Sequence, residues 1–367
     1  MGNRNHITNL EIKNFKSIKS LKAECTRVNI FIGEPNSGKS NILEALSLFS
    51  VPYMEKGLED TFGGNLIRYE QISNLFYNMD ITKPIEIKSS IGYGTLRWHK
   101  GLNFYDLVFS SYKTLLKKAL LSTTYHNYIK ELKQHFKEPV QNELPITPYL
   151  LTFKNDGKFA NNDFDLDYVT PIKKYDFNTL FTGEVNNTYV GFLLPSGANL
   201  FSVIQINKEL KQFASDLFKK DKLQLLLDQS ANRIEIQRKI KDVVYKIPFE
   251  LIADTYQRLI YNVAAIESNS DSILLFEEPE SHSFPPYIQK LCDKISESVT
   301  NQFFITTHSP YFINHFLEEK ELWPEISIFN VYYEGFQTKF KKLTDNDINR
   351  IWGSGTDVFF NLRNFRD

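Results

Sequence analysis

The stretch IFIGEPNSGKSNILEAL, Ile30 to Leu46, decides the reading of this chain. Gly33-Glu34-Pro35-Asn36-Ser37-Gly38-Lys39-Ser40 fits the pattern G-x-x-x-x-G-K-[ST]. The apolar run Val28 to Ile32 precedes it, and Ile42, Leu43, Leu46 and Leu48 follow at near-helical spacing, so the spacing predicts strand, loop, helix. Such a loop must turn its amides onto phosphate oxygens, which needs backbone conformations that glycine tolerates and no side chain in the way. The helix would offer its N-terminal amides and positive dipole end to the anion, Lys39 would reach the β- and γ-phosphates, and the Ser40 hydroxyl would ligate Mg2+. Gly33, Glu34, Pro35, Asn36, Ser37, Gly38, Lys39, Ser40 and Asn41 are therefore the candidate nucleotide-binding residues. A chance match to the pattern in a chain of this length is on the order of one in a hundred, before strand and helix are demanded on either side.

A phosphate loop by itself says only nucleotide. ILLFEEPESH, Ile273 to His282, reads as a buried strand that ends in two acids. Seen alone, these could be a strand meeting solvent; beside a phosphate loop, Glu277 is the candidate metal ligand with Ser40, and Glu278 the base that orients the attacking water. FFITTHSPYF is another apolar strand, emptying into Thr306, Thr307, His308 and Ser309. Such residues point into the ligand crevice of an open α/β sheet, where His308 would sense or position the γ-phosphate. The candidate catalytic set is Lys39, Glu278 and His308.

LEIKNFKSI, the phosphate-loop stretch, LLFEEPESHSFP and FITTHSP together resemble the ABC-type ATPases of the SMC/RecF-like group, especially their OLD-like (overcoming lysogenization defect) branch. The resemblance covers the first 50 residues and roughly 191–333. It implies an α/β P-loop fold of ABC-ATPase type with a mixed sheet, ATP and Mg2+ as ligands, and a head-to-tail homodimer with ATP sandwiched between subunits. It also implies that Pro279 to Pro285 face the partner subunit. An LSxG-type signature loop should precede the acidic strand, yet the matching place holds Ala253, Asp254 and Thr255. Asp is electrostatically poor near a γ-phosphate, although Asp254 or Thr255 could cap the helix there. Gln71 is the candidate for the glutamine that family members place after the first helix. Lys16 stands where relatives carry an arginine near the nucleotide.

Along the remaining chain, Asn9 to Glu24 reads as early strands, and 1–60 as the first part of the ATPase head. An α+β insertion is expected over 61–190, with a strand candidate in PIEIKSSIGYGTLRWH, a Lys-rich helix near 111–137 and a Pro/Asn/Asp-rich run over 139–176. Its aromatics Tyr77, Trp98, Phe104 and Tyr125 read as small-domain core. The second part of the head, 191–367, is expected to be helical over 200–228 and 238–267, with a turn entering a helix at 194–204. EISIFNVYYEGFQTKFKKL reads as a hairpin, and Asp345 and Asp347 as helix caps. The alternation of strands and helices is that of an α/β sheet.

The formal charge of −1 over 367 residues excludes a globally basic nucleic-acid binder. Arg233 to Lys246 is the best basic segment, but its interleaved acids read as a solvated face, which leaves direct nucleic-acid binding open. Two distant cysteines, Cys25 and Cys292, give no zinc-like spacing and fit a reducing compartment. No apolar run approaches the roughly 20 residues of a membrane span, so a cytoplasmic protein without membrane contact is expected. After His308 too little chain follows for a Toprim nuclease unit. The resemblance thus implies an ATPase subunit that acts on a separately encoded effector, a nuclease among the candidates, as in antiphage systems of the PARIS and Septu type. A nucleotide-dependent scaffold with little turnover and a RecF/SMC-like repair ATPase are the alternatives.

Overall fold

The computed structural model describes residues 5–51, 66–100, 103–110, 149–161, 170–177, 191–354 and 357–366. The helix expected near 111–137, and Tyr125 within it, lie outside them. The chain opens with β1 (Asn9–Phe15) and β2 (Ile18–Glu24), an antiparallel pair joined by a turn in which Lys16 adopts φ 47°. β3 (Val28–Gly33) runs into the glycine-containing loop, and α1 (Lys39–Ser47) leaves it. β4 (Ile85–Ser89), β5 (Tyr93–His99), β6 (Phe104–Ser110), β7 (Tyr149–Phe153), β8 (Phe159–Asn161) and β9 (Ile172–Tyr175) follow. Next come α2 (Leu200–Ile206), α3 (Lys208–Lys219), β10 (Gln224–Asp228), β11 (Arg233–Ile240), β12 (Val243–Pro248) and α4 (Asp254–Glu267). β13 (Ile273–Glu277), α5 (Pro285–Glu297), β14 (Gln302–Thr306), α6 (Pro310–Glu318), the hairpin β15 (Ile326–Glu334) and β16 (Gln337–Lys342), and α7 (Asp345–Ser354) complete the order.

Two large sheets result. One is antiparallel, in the order β2-β1-β4-β5-β6-β7-β8; the other is mixed, in the order β16-β15-β3-β14-β13-β9, with only the β15–β16 pair antiparallel. The period-2 alternation of strands divides the mixed sheet's side chains between two cores. Val28, Ile30, Ile32, Leu274, Phe276, Phe303 and Ile305 pack with α2 to α6 on one face. Phe31, Ile273, Leu275, Phe304 and Phe329 pack with α1 and the antiparallel sheet on the other. α1 is therefore held between the two sheets, with Ile42, Leu43 and Leu46 at zero exposure. Each such burial stabilises by about 1.5–3 kcal/mol relative to exposure.

Several expectations change. The strands assigned to an insertion over 61–190 are shared between the sheets: β4 to β8 continue the sheet begun by β1, and β9 borders β13. The helix expected over 238–267 begins only at Asp254, and residues 224–248 form the antiparallel sheet β10-β11-β12 instead. β-branched residues in alternation, the positive φ of Lys241 at the turn, and Pro248 with no amide proton favour strands there. Within the basic hairpin, Lys246 pairs with Glu235 at 2.8 Å and Asp228 at 3.3 Å. Trp98 packs on Tyr105, ring centroids 4.5 Å apart, as a partly buried residue against the core of the antiparallel sheet. Thr344, not Asp345, accepts the Asp347 amide at the start of α7, and Asp347 accepts the Thr344 amide in return.

Candidate functional site

The parallel strands β3, β13 and β14 end side by side, and the loops that leave them meet. In the first loop Asn36 has φ 60° and Gly38 φ 95°. A Cβ on Gly38 would sit 2.0 Å from the Thr338 hydroxyl, and one on Gly33 would sit 2.1 Å from the Val331 carbonyl oxygen, so both glycines are demanded by neighbours in the β15–β16 hairpin. That hairpin also grips the loop: the Thr338 hydroxyl donates to the Ser37 carbonyl at 3.0 Å and lies 2.6 Å from Ser17 Oγ, which accepts from Asn41 Nδ2. No side chain caps α1, and no acid lies in its first turn, so its end is electropositive and open to an anion.

Lys39 is buried, and its Nζ donates to the carbonyls of Gly33 at 2.9 Å and Glu34 at 3.0 Å. Burial lowers its pKa, while Glu278 and Glu277, both within electrostatic reach, oppose the shift. The Ser40 hydroxyl lies close enough to the Glu277 carboxylate to stabilise its charged form. Burial would raise that carboxyl, but Lys174, Ser40 and Arg68 outweigh it and hold the group below its ordinary range. Arg68 Nη2 lies 2.8 Å from one Glu277 oxygen and Lys174 Nζ 3.1 Å from the other.

Glu278 turns out of β13 with φ 44°, its amide donating to the Thr306 carbonyl at 3.0 Å. Its carboxylate is 3.5 Å from His308 Nε2, and its side chain is half-buried. Burial and the nearby Lys39 ammonium lower the His308 pKa, and Glu278 partly offsets them. Lys39 and Ser40 are thus neighbours of Glu277, Glu278 and His308, which lie more than 200 residues further along the sequence. Ser40 and Glu277 supply adjacent hard oxygen donors, a set that suits Mg2+.

Other residues sit differently from expectation. Lys16 pairs with the buried Glu44 of α1 and donates to the Arg68 carbonyl at 2.5 Å. The residue of the 66–75 segment that reaches Glu277 is Arg68; Gln71 instead accepts from Asn155 Nδ2 at 3.3 Å. Ala253 is the N-cap of α4, without side-chain capping. Asp254 pairs with Arg258 at 2.7 Å and lies 3.5 Å from His282 Nδ1, and the Thr255 hydroxyl donates to the His282 carbonyl at 2.6 Å. The start of α4 is thereby tied to the loop that follows Glu278.

Sequence reasoning missed four contributors. Arg68 and Lys174 carry no motif. Glu280 is buried, and its Oε1 accepts from the Thr307 hydroxyl at 2.5 Å and the His308 amide at 3.1 Å; in sequence it is only the third acid of EEPE, with nothing to mark it as buried. Arg366, 3.3 Å from Glu34, reaches the loop from the far end of the chain.

Residues 28–314 match the protein family described as "AAA domain, putative AbiEii toxin, Type IV TA system". A protein of Helicobacter pylori named ATP/GTP phosphatase is 21% identical over 348 residues, which span 88% of this chain and 91% of that protein. Among solved structures, the SmcHead bound to the C-winged helix domain of ScpA is similar with a TM-score of 0.49 and 16% identity, covering 94% of this chain and all (100%) of that one. The Smc head domain with an extended coiled coil, bound to the C-terminal domain of ScpA from Pyrococcus furiosus, gives 0.47 and 15%, covering 95% and 99%.

Proposed function

The chain belongs to this AAA-domain family of P-loop ATPases, and from that premise we propose that it is a Mg2+-dependent ATPase subunit of OLD-like type, which dimerises head to tail and controls a separate effector in antiviral defence. The observation that carries the catalytic part is the convergence of Lys39, the Ser40–Glu277 pair, Glu278 and His308 at the carboxyl ends of β3, β13 and β14. The ATP/GTP phosphatase name of the Helicobacter pylori relative supports hydrolysis of a nucleoside triphosphate.

In this reading the loop amides and the open end of α1 receive the phosphates, and Lys39 exchanges its two carbonyl partners for phosphate oxygens. Ser40 and Glu277 would hold Mg2+. When bound, the ion would supply positive charge against the negative charge that develops on the phosphates. Glu278 orients a water in line with the γ-phosphorus and takes its proton as the bond to the leaving oxygen breaks. His308, neutral because Lys39 and burial depress its pKa, offers a polar ring nitrogen to the γ-phosphate side of the crevice. The half-buried Glu278 and the α4 start bound to His282 leave this face accessible to a second copy, whose signature residues would close it.

The test is ATP turnover and binding by the purified chain. Lys39→Ala is expected to lose nucleotide binding, and Glu278→Gln to keep binding while turnover falls about 10²–10⁴-fold. Glu278→Gln with ATP and Mg2+ should accumulate a dimer in light scattering. Asp254 in the signature place favours a second reading, a nucleotide-dependent scaffold, because its charge would repel a facing γ-phosphate. Equal and negligible turnover by the wild type and Glu278→Gln would decide for the scaffold.

A further inference from the structure

Away from the nucleotide crevice, α5 and α6 pack side by side, and at their C-terminal halves three metal-binding side chains converge. His315 lies on α6, Glu319 is the residue that caps the C-terminal end of that helix, and Asp293 meets them from α5. His315 Nε2 lies 3.2 Å from Glu319 Oε1 and 3.6 Å from Asp293 Oδ1, and all three donor atoms lie within 4.8 Å of one another. With zinc–nitrogen and zinc–oxygen bonds of about 2.0–2.2 Å, the edge of a tetrahedral site is about 3.3 Å, close to the two separations measured from His315 Nε2.

The decisive observation is the imidazole. Its side chain is only 10% exposed, and Nε2 is buried and makes no hydrogen bond, although it faces two carboxylates. A protonated His315 held by simple ion pairing would direct an Nε2–H at one of these oxygens, and the geometry makes no such bond. Burying a polar atom without a partner is unfavourable, and a metal ion would satisfy it. The two carboxylates are 45% and 42% exposed, which leaves an approach for the ion and room for a water as fourth ligand. One imidazole nitrogen with two carboxylate oxygens is a zinc-like donor set; Mg2+ and Ca2+ prefer oxygens alone.

We infer that Asp293, His315 and Glu319 form a second metal site, for Zn2+ or an ion of like demand, which clamps α5 to α6. The clamp would join the helix that follows the Glu278 loop to the helix that follows His308, fixing the spacing of the two loops from behind. It requires nothing of the ATPase reading.

The test is Zn2+ titration of the chelator-stripped full chain in excess Mg2+ without nucleotide, read by calorimetry and by thermal unfolding, with Co2+ absorption as a report on coordination. One Zn2+ per chain and a raised unfolding midpoint are expected. The double variant Asp293→Asn/Glu319→Gln should fold, bind zinc at least about tenfold more weakly and lose the midpoint rise. Glu277→Gln, which alters the other site, should retain both. Absence of stoichiometric zinc, or zinc held equally well by the Asp293→Asn/Glu319→Gln variant, would overturn the inference.

Discussion

Glu280 stands two residues beyond Glu278, and its carboxylate accepts both the Thr307 hydroxyl and the His308 amide. Burial pushes its pKa up, and those two donors pull it back, so the group is held by its partners rather than by solvent. It touches neither nucleotide nor water in the proposed mechanism; it sets the backbone from which His308 projects. Glu280→Ala is therefore expected to lower kcat, by up to about a hundredfold if His308 shifts by an ångström, with a smaller change in KM for ATP. Glu280→Gln, which keeps an accepting oxygen, should restore most of the rate. Equal loss in both variants would mean that its charge, not its position, matters. Neighbouring Glu277 and Glu278 were legible because a P-loop site needs acids after an apolar strand. Glu280 was not, since nothing in EEPESH distinguishes a buried third acid from a solvated one.

At the scale of elements, β9 shows how a short strand serves two purposes. Alternation sends Lys174 to Glu277 on the α1 side and Lys173 to Asn269 and Ser272 on the other, 2.7 and 3.1 Å away. In sequence these lysines sit in a polar, Pro/Asn/Asp-rich run that reads as loop; only pairing with β13 makes them interior. Burial pushes the Lys173 ammonium down to about 7, from an ordinary value of 10.5. The unfolded chain then binds more protons than the folded one between those values, so this group's contribution rises with pH across the window and is smallest below about 7. Its slope is at most about 1.4 kcal/mol per pH unit. Lys173→Met should flatten the rise in stability of the wild type by up to that slope, measured by urea unfolding between pH ~7 and ~10. Parallel pH profiles would show that Lys173 keeps an ordinary pKa. The same logic explains the β10-β11-β12 sheet, where a run of leucines and β-branched residues is ambiguous until neighbours supply a ladder.

For the whole molecule, the mixed sheet is the partition between two cores, and Phe31 is its central plate on the α1 side. Its ring is stacked on Phe329 at 5.0 Å and faces Phe304 at 6.3 Å. Phe31→Ala should cost about 3–5 kcal/mol and lower nucleotide affinity as β3 loosens, within one cooperative unfolding transition by calorimetry. Two resolved transitions would show the cores to be independent. The tertiary structure also brings the first and last described segments to the loop: Ser17 and Thr338 behind it, Arg366 beside Glu34. By itself the sequence determined the local chemistry, because strand, glycine turn and helix are contiguous and their demands on residue type are short-range. It also determined which strands are buried, since β3, β13 and β14 each carry an uninterrupted apolar run of three or four residues, Ile30 to Ile32, Ile273 to Phe276 and Phe303 to Ile305. Only the tertiary structure decided which distant cations surround Glu277, that β4 to β8 join the first hairpin, and that His315 meets Asp293. Those pairings depend on strand order and helix packing, which no single stretch of chain encodes.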